Sequence, residues 1–267
     1  YSGGTTVDGD GLLQVQGAGT VGVGAITNNG TLQFNDITTE GGLTLSQVIS
    51  GTGTITKSGT GTLTLSGVNT YSGPTTVHGG TLVVNGSVAG EVTVHAGAIL
   101  KGTGTLADLV VLSDGSVQPG NSVGTITFSS LEMAGNWQQE IAGTGAGEYD
   151  VISVNGNVIF SDTAALLPLE FIGTYTPSAG DSFDILVSET GTITGLGDWN
   201  SLLSASDRDL WSLSLVGENN TLRLTRGGVE PADVPEPSSL ILLVLGGLGM
   251  YFARRNVKSR IPGTMKS

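Results

Sequence analysis

The first half of the chain alternates apolar residues with threonine in short segments, and each segment follows a glycine. In "GTLTL", which begins at Gly61, Leu63 and Leu65 alternate with threonines, so one face of the segment is apolar and the other polar. The same unit recurs as "GTLQF" at Gly30, "GLTL" at Gly42, "GTIT" at Gly53, "GTLVV" at Gly80, "GAIL" at Gly97, "GTL" at Gly104 and "GTITF" at Gly124. The pattern predicts a series of short β-strands with a turn before each one.

A longer repeat contains these units. Residues 1–17, "YSGGTTVDGDGLLQVQG", align without a gap to residues 71–87, "YSGPTTVHGGTLVVNGS", and self-similarity at a fixed offset is typical of repeat architectures. Because the chain begins in the middle of such a repeat, we expect a longer protein with further sequence before Tyr1. Strands this short are marginal alone but become stable when each pairs with the turns above and below it. Residues 1–130 are therefore predicted to form a parallel β-solenoid of five or six turns, if each turn takes roughly 20 to 25 residues. A β-sandwich is the rival fold.

The composition changes after residue 130. All three tryptophans lie between there and Arg226, while the Gly-Thr unit becomes rare. An open solenoid end would leave unpaired backbone, so we expect residues 131–226 to form a C-terminal β cap with its own denser core. Residues 227–237, "GGVEPADVPEP", are rich in proline and glycine and are predicted to be a linker.

Composition and charge limit the classes of function. Gly makes up 44 of 267 residues and charged residues only 12%, which excludes both a highly charged disordered chain and a helical bundle. The net charge is −13, and all 23 acidic residues lie at or before Glu236. A surface this acidic repels a phosphate backbone, so nucleic acid is not an expected partner. The absence of cysteine excludes disulfides and thiolate metal sites.

Residues 59–87, "GTGTLTLSGVNTYSGPTTVHGGTLVVNGS", resemble the autotransporter-associated β-strand repeat. The segments "VQPGNSVGTITF", "EYDVISVNG" and "PSAGDSFDILVS" are similar to the part that closes such passengers. The resemblance implies a right-handed parallel β-helix in an exported bacterial protein. The well-known members of that family end in a membrane β-barrel, and no set of long amphipathic strands follows in this sequence.

The last forty residues differ from everything before them. Pro235, Glu236 and Pro237 precede an apolar run, and Arg254 and Arg255 follow it. This order resembles the PEP-CTERM sorting signal, which implies processing by an exosortase in a Gram-negative envelope. Residues 238–267 are then a sorting tail with a short transmembrane helix over about residues 238–253 and a basic end at 254–267. The run is slightly shorter than the roughly 17 residues of a spanning helix, but the basic cluster fits a cytoplasmic end. The resemblance gives Pro235, Glu236 and Pro237 the role of recognition signal, and Arg254 and Arg255 the role of membrane stop.

The sequence gives little support for a dinucleotide, calcium or other metal site. The G-x-G-x-x-G of residues 17–22 precedes a turn and a strand, whereas a dinucleotide site needs a helix there. Asp8 and Asp10 are better read as a solvated turn than as calcium ligands. The spacing of His78 and His95 predicts that they lie on neighbouring turns as solvated or stacked rings. Two imidazoles without a third ligand make a weak metal site. No catalytic, cofactor-binding or metal-binding residue is predicted.

The sequence therefore predicts a non-enzymatic structural or adhesive protein that is exported to the cell surface or extracellular matrix. The expected partners are an exosortase-type processing enzyme, the inner membrane, which holds the protein transiently through its C-terminal helix, and extracellular polysaccharide. Two alternatives stay open. One is a carbohydrate-active β-helix enzyme, a polysaccharide lyase or glycoside hydrolase, which would need two carboxylates and a cation converging in one groove. The other is a surface protein that keeps its tail and stays anchored in the membrane.

Overall fold

A computed structural model describes residues 3–38, 41–161, 166–218 and 220–227, and these residues form almost entirely β-structure. The strands of the first turns are β1 (Thr5–Val7), β2 (Leu12–Gly17), β3 (Ile26–Asn28), β4 (Thr31–Ile37), β5 (Leu43–Leu45), β6 (Ile49–Ser50), β7 (Thr54–Ser58), β8 (Thr62–Leu65), β9 (Val68–Asn69), β10 (Thr75–Val77), β11 (Gly80–Val84), β12 (Ser87–Val88) and β13 (Val92–Val94). The strands that follow are β14 (Ala98–Gly102), β15 (Thr105–Val111), β16 (Ser116–Pro119), β17 (Thr125–Met133), β18 (Asn136–Trp137), β19 (Gln139–Ile141), β20 (Val151–Val154), β21 (Val158–Phe160), β22 (Leu169–Phe171), β23 (Ser182–Ser188), β24 (Ile193–Thr194), β25 (Trp211–Val216) and β26 (Thr221–Arg226). Helix in the described ranges is limited to the 3-10 turn Trp199–Leu202 and the short α1 (Ala205–Arg208).

The strands wind into a three-sided parallel β-solenoid. Successive turns contribute one strand to each side: β3, β6, β9 and β12 to the first, β4, β7, β10 and β13 to the second, and β5, β8, β11 and β14 to the third. Every strand pair on these three sides for which the residue register is defined is parallel. About seven turns are stacked in this way. The predicted solenoid is confirmed, and the β-sandwich alternative is wrong because its sheets would be antiparallel.

The Gly-led units of the sequence form strands where the pattern places them. In β8, Leu63 and Leu65 are fully buried while the threonines between them are half-buried, as the period of two requires. Inward residues stack on one another from turn to turn. One such row on the second side consists of Leu32, Ile55, Thr75, Val92, Leu109 and Leu131. Each member is at most 1% exposed, so the rows join into one continuous core along the solenoid.

The ladder is closed at its C-terminal end by an antiparallel pair. β23 continues the parallel ladder through β20 on one edge and pairs antiparallel with β26 on the other, and β25 completes the sheet. Aromatic rings fill the core here: Phe183 makes edge contacts with Tyr149 at 5.3 Å, and Trp199 does the same with Phe160 at 5.5 Å. An antiparallel β unit thus follows the last parallel strands, whereas a separate cap over residues 131–226 stays a prediction. The parallel ladder itself crosses residue 130, because β17 pairs with both β15 and β20. The proposed domain boundary at that residue stays a prediction.

The linker from residue 228 and the sorting tail lie outside the described residues. Among the residues that the structure does describe, no helix is long and apolar enough to cross a membrane. The transmembrane helix expected over about residues 238–253 therefore stays a prediction.

Candidate binding surfaces and charged clusters

A row of polar side chains follows the outer surface of the second side. Gln14, Gln33, Thr56, Thr76 and Thr93 stand in register on consecutive strands. Neighbouring strands in a sheet are about 4.8 Å apart, so the row offers hydrogen-bonding groups at that interval. A matching contact joins the hydroxyls of Thr31 and Thr54 at 3.3 Å on the same side. Such a ladder can make the same weak contact many times with a repetitive partner.

A shallow groove runs along the corner between the first and second sides. It encloses about 300 Å³ and is lined by Asn69, Thr70, Ser87, Val88, Ala89, Thr105, Leu106, Ala107 and Ser129. Its axis follows the solenoid, because Asn69, Val88 and Leu106 are partners on adjacent turns. Small side chains on either side of these inward residues leave the corner concave. The lining is neutral throughout.

Two histidine rings contact each other on neighbouring turns in a tilted arrangement. The rings of His78 and His95 lie 4.4 Å apart between centroids with an interplanar angle of 43°. His78 follows β10 and His95 follows β13, so the ring contact comes directly from the register of the ladder. Among the described residues there is no group of three His, Cys, Asp or Glu side chains that could hold a metal ion. Asp8 lies in an exposed turn in which its carbonyl accepts the N–H of Gly11 at 2.7 Å.

A charged cluster lies on the two-stranded sheet that β19 and β22 form. Glu140 and Glu170 are register partners on β19 and β22, and Gln138 donates a hydrogen bond to Glu170. Burial raises the pKa of Glu140, and the charge of Glu170 raises it further, whereas Lys101 opposes both effects. The Glu140 carboxyl group thus lies within the electrostatic influence of a second carboxylate and a lysine, which are the residue types that an acid-base site uses. One carboxyl oxygen of Glu140 is buried without a hydrogen-bond partner.

Asp150, next to this cluster, holds the backbone together. Its two carboxyl oxygens accept the N–H groups of Gly124 at 2.8 Å and Glu140 at 2.9 Å. The residue is 1% exposed, and this burial raises its pKa to about 7 against the opposing effect of the two backbone hydrogen bonds. A carboxyl group with so little exposure cannot reach a ligand. Its geometry indicates a structural role.

Lys57 is a buried residue that the sequence analysis did not identify. Lysines are almost never fully buried in proteins, but Lys57 is 0% exposed and belongs to the inward row of Phe34 and Val77. The strict alternation of β7, "TITKS", was the signal available, since it places Lys57 on the same face as Ile55. The predicted signal residues Pro235, Glu236 and Pro237, and the predicted stop residues Arg254 and Arg255, lie outside the described residues.

Two family models match the chain. The passenger-associated-transport-repeat model matches residues 55–84, which run from β7 to the end of β11. The PEP-CTERM protein-sorting motif matches residues 233–256, which contain the predicted signal and stop residues.

Two curated proteins are similar to parts of the chain. The extracellular serine protease of Serratia marcescens is 40% identical over 81 residues, which are 30% of this chain and 8% of the protease. The adhesin BmaC autotransporter of Brucella suis is 36% identical over 109 residues, which are 39% of this chain and 3% of the adhesin. The chain thus spans less than a tenth of either relative. It carries a passenger-associated-transport repeat within a β-solenoid and a PEP-CTERM protein-sorting motif, a combination that fits an exported surface protein.

Proposed function

We propose that this protein is a non-enzymatic surface scaffold that holds extracellular polysaccharide through repeated polar rows on a stiff solenoid. The observation that supports it most is the row of Gln14, Gln33, Thr56, Thr76 and Thr93, which stands in register over consecutive turns. A continuous buried core makes each turn support its neighbours, so the spacing of the row is fixed. Many weak contacts at fixed spacing bind a polymer with high avidity even though each contact alone is weak.

The tail directs the protein to its destination. Pro235, Glu236 and Pro237 act as the signal that an exosortase-type enzyme recognises. Residues 240–253 hold the chain in the inner membrane as an intermediate, and Arg254 and Arg255 stay on the cytoplasmic side because positive residues favour that side. Processing then releases the solenoid to the cell surface or extracellular matrix. The match of the sorting motif to residues 233–256 supports this route.

Fractionation of cells tests the route. The full gene is expressed with and without an exosortase, and the protein is located in inner-membrane, surface and medium fractions. Replacing Pro235, Glu236 and Pro237 with alanine should retain the protein in the inner membrane, as should removal of the exosortase. The matched control replaces Glu230 and Pro231, the other Glu-Pro pair of the linker, and should be exported normally. Normal export of the triple variant would overturn the role of the signal.

A second candidate function is cleavage of a polysaccharide, and one observation favours it. Glu140 and Glu170 are register partners, and the charge of Lys101 acts on Glu140; two adjacent carboxyl groups are the minimum for glycoside hydrolysis. The pair Glu140→Gln and Glu170→Gln tests it, with release of reducing ends from a polysaccharide as the measurement. Activity that is present in the parent and lost in both variants would establish the enzyme.

A third candidate, permanent membrane anchoring, is tested by the mass of the C-terminal peptide of the mature protein.

A further inference from the structure

We infer that the corner groove between the first and second sides is a binding site for a single strand of neutral polysaccharide. This inference rests on the proposed function and adds to its polar row a second contact site, with a defined ligand class. The groove follows the solenoid axis across β9, β12, β15 and β17 and encloses about 300 Å³. That volume lies at the lower end of small-molecule sites. Because the groove follows the solenoid axis across four strands, an elongated ligand can extend along it from one turn to the next.

The hydroxyl groups of the groove are free to bind a ligand. Thr70, Ser87, Thr105 and Ser129 line it, and none of these four side-chain hydroxyls has a hydrogen-bond partner among the described residues. Other outward hydroxyls of the ladder are engaged, such as that of Ser130, which donates to Asp108 at 2.7 Å. Each free hydroxyl can both donate and accept a hydrogen bond, which suits the hydroxyl groups of a sugar.

The positions of small residues explain why the corner is concave. Ala89 and Ala107 occupy corresponding places on adjacent turns, each directly after the inward residue of its strand, Val88 or Leu106. Their methyl groups offer an apolar strip between the hydroxyls. A sugar ring has C–H groups on its faces and hydroxyls at its rim, so a strip of methyls flanked by hydroxyls matches both.

The charge of the protein selects a neutral ligand. In the part of the chain that the structure describes, no charged side chain lines the groove, whereas the whole protein has a net charge of −13. A polyanionic glycan would be repelled by this field without a local cation to offset it. An extended peptide is also disfavoured, because strand addition needs an open backbone edge, and β12 at the floor is already paired with β9 and β15.

Titration of the full chain with two linear oligosaccharides tests the inference. A neutral glucan and an oligogalacturonate of equal length serve as the probes, with calorimetry as the measurement. The neutral glucan should bind and the oligogalacturonate should not. Ala107→Phe should weaken neutral-glucan binding by about tenfold or more, because the ring fills the volume that a sugar would occupy. Ala96→Phe is the matched control, since Ala96 is exposed in the turn after β13, outside the groove lining, and it should bind like the parent.

Ser87→Ala provides a second variant that cannot disturb packing, and it should also weaken binding. Unchanged affinity in Ala107→Phe and Ser87→Ala would overturn the groove, as would absent glucan binding or a preference for the anionic probe. Failure of the groove is separable from failure of the proposed function. Cells whose Ala107→Phe protein still reaches the surface and still retains polysaccharide would keep the scaffold role and lose only this site.

Discussion

The side-chain nitrogen of Lys57 donates a hydrogen bond of 3.0 Å to the carbonyl oxygen of Gly79, which lies one turn further along the solenoid. Two more carbonyls, those of Ser58 at 3.1 Å and Gly59 at 3.2 Å, accept from the same nitrogen. An ammonium group has three hydrogens, so each of them has an acceptor. This arrangement allows a cation to lie in an apolar row between Phe34 and Val77 without an unsatisfied donor.

Replacing Lys57 with methionine should destabilise the protein at pH 7. Methionine keeps an unbranched side chain that is one heavy atom shorter, but the three carbonyls lose their shared donor, which costs on the order of 1 to 3 kcal/mol in the free energy of unfolding. Urea unfolding measures the change. The control is Asp10→Asn, because Asp10 is an exposed charge in an early turn, and surface charge removal usually changes stability by only about 0.5 kcal/mol. Equal stability of the parent and Lys57→Met would show that the three contacts contribute nothing.

The same pair of proteins should differ in their response to alkaline pH. Burial lowers the pKa of Lys57 below its ordinary 10.5, and the nearby charge of Asp36 only partly offsets this. Between the folded pKa and 10.5, the unfolded chain binds more protons than the folded chain, so the free energy of unfolding of the parent should rise with pH. Lys57→Met lacks this contribution. The stability advantage of the parent over the variant should therefore grow as pH rises, and an advantage that shrinks would contradict the buried, hydrogen-bonded amine.

Asp150 should produce the opposite trend at acidic pH. Its pKa is raised from 3.8 to about 7 by burial, so between these values the folded chain holds a proton that the unfolded chain has lost. The free energy of unfolding should consequently fall as pH rises through this window. Asp150→Asn removes the titration and should flatten the curve of melting temperature against pH between about 4 and 7. Asp108→Asn, a change at an exposed aspartate, should leave the shape of the curve unchanged. A parent curve already parallel to that of Asp150→Asn would show that Asp150 stays ionised.

Much of the solenoid could be predicted because its local signals agree with one another. In segments such as "GTLTL", the glycine marks the corner, the β-branched residues favour a strand, and the alternation fixes which face is buried. Each of these signals acts within a few residues. The sequence therefore indicates where strands begin and which side chains point inward, and β8 and β11 begin within one residue of the expected positions.

The stacking of one turn on another could not be predicted in the same way. The aligned copies "TTV" at Thr5–Val7 and at Thr75–Val77 occupy different sides: the first pairs with β3, and the second pairs with β7 and β13. Turn lengths decide which side a segment reaches, and these lengths vary along the chain. The burial of Lys57 and Asp150 depends equally on contacts between turns, since Gly79 and Gly124 come from neighbouring turns. Distance along the chain hides such partners from a local pattern.

The corner glycines should differ sharply in their tolerance of alanine. Gly102 has φ +117°, and a Cβ added there would lie 2.1 Å from the carbonyl oxygen of Val84 on the preceding turn. Gly97, at the other end of β14, has φ +75° but nothing within 4 Å. Gly97→Ala should cost only the backbone strain of about 1 to 2 kcal/mol. Gly102→Ala adds a clash with paired backbone and should cost about 3 kcal/mol or more. Similar urea midpoints for the two variants would contradict this close packing of turns.

The outer edge of β25 in the antiparallel unit should affect the solubility of the protein. Among the strands that the structure describes, β25 pairs with β26 alone, and the N–H of Leu213 on its other edge donates to the side-chain carbonyl of Asn200 at 2.8 Å. An open strand edge is a template for pairing with another molecule. Asn200→Ala leaves that N–H without its acceptor, which should lower the free energy of unfolding by about 1 to 2 kcal/mol. It should also increase self-association in sedimentation velocity runs at rising protein concentration. Asn121→Ala, which removes an exposed asparagine with one long contact of 3.4 Å, should remain as monomeric as the parent. If Asn200→Ala sediments identically to this control, the rest of the antiparallel unit protects the edge and Asn200 is dispensable for it.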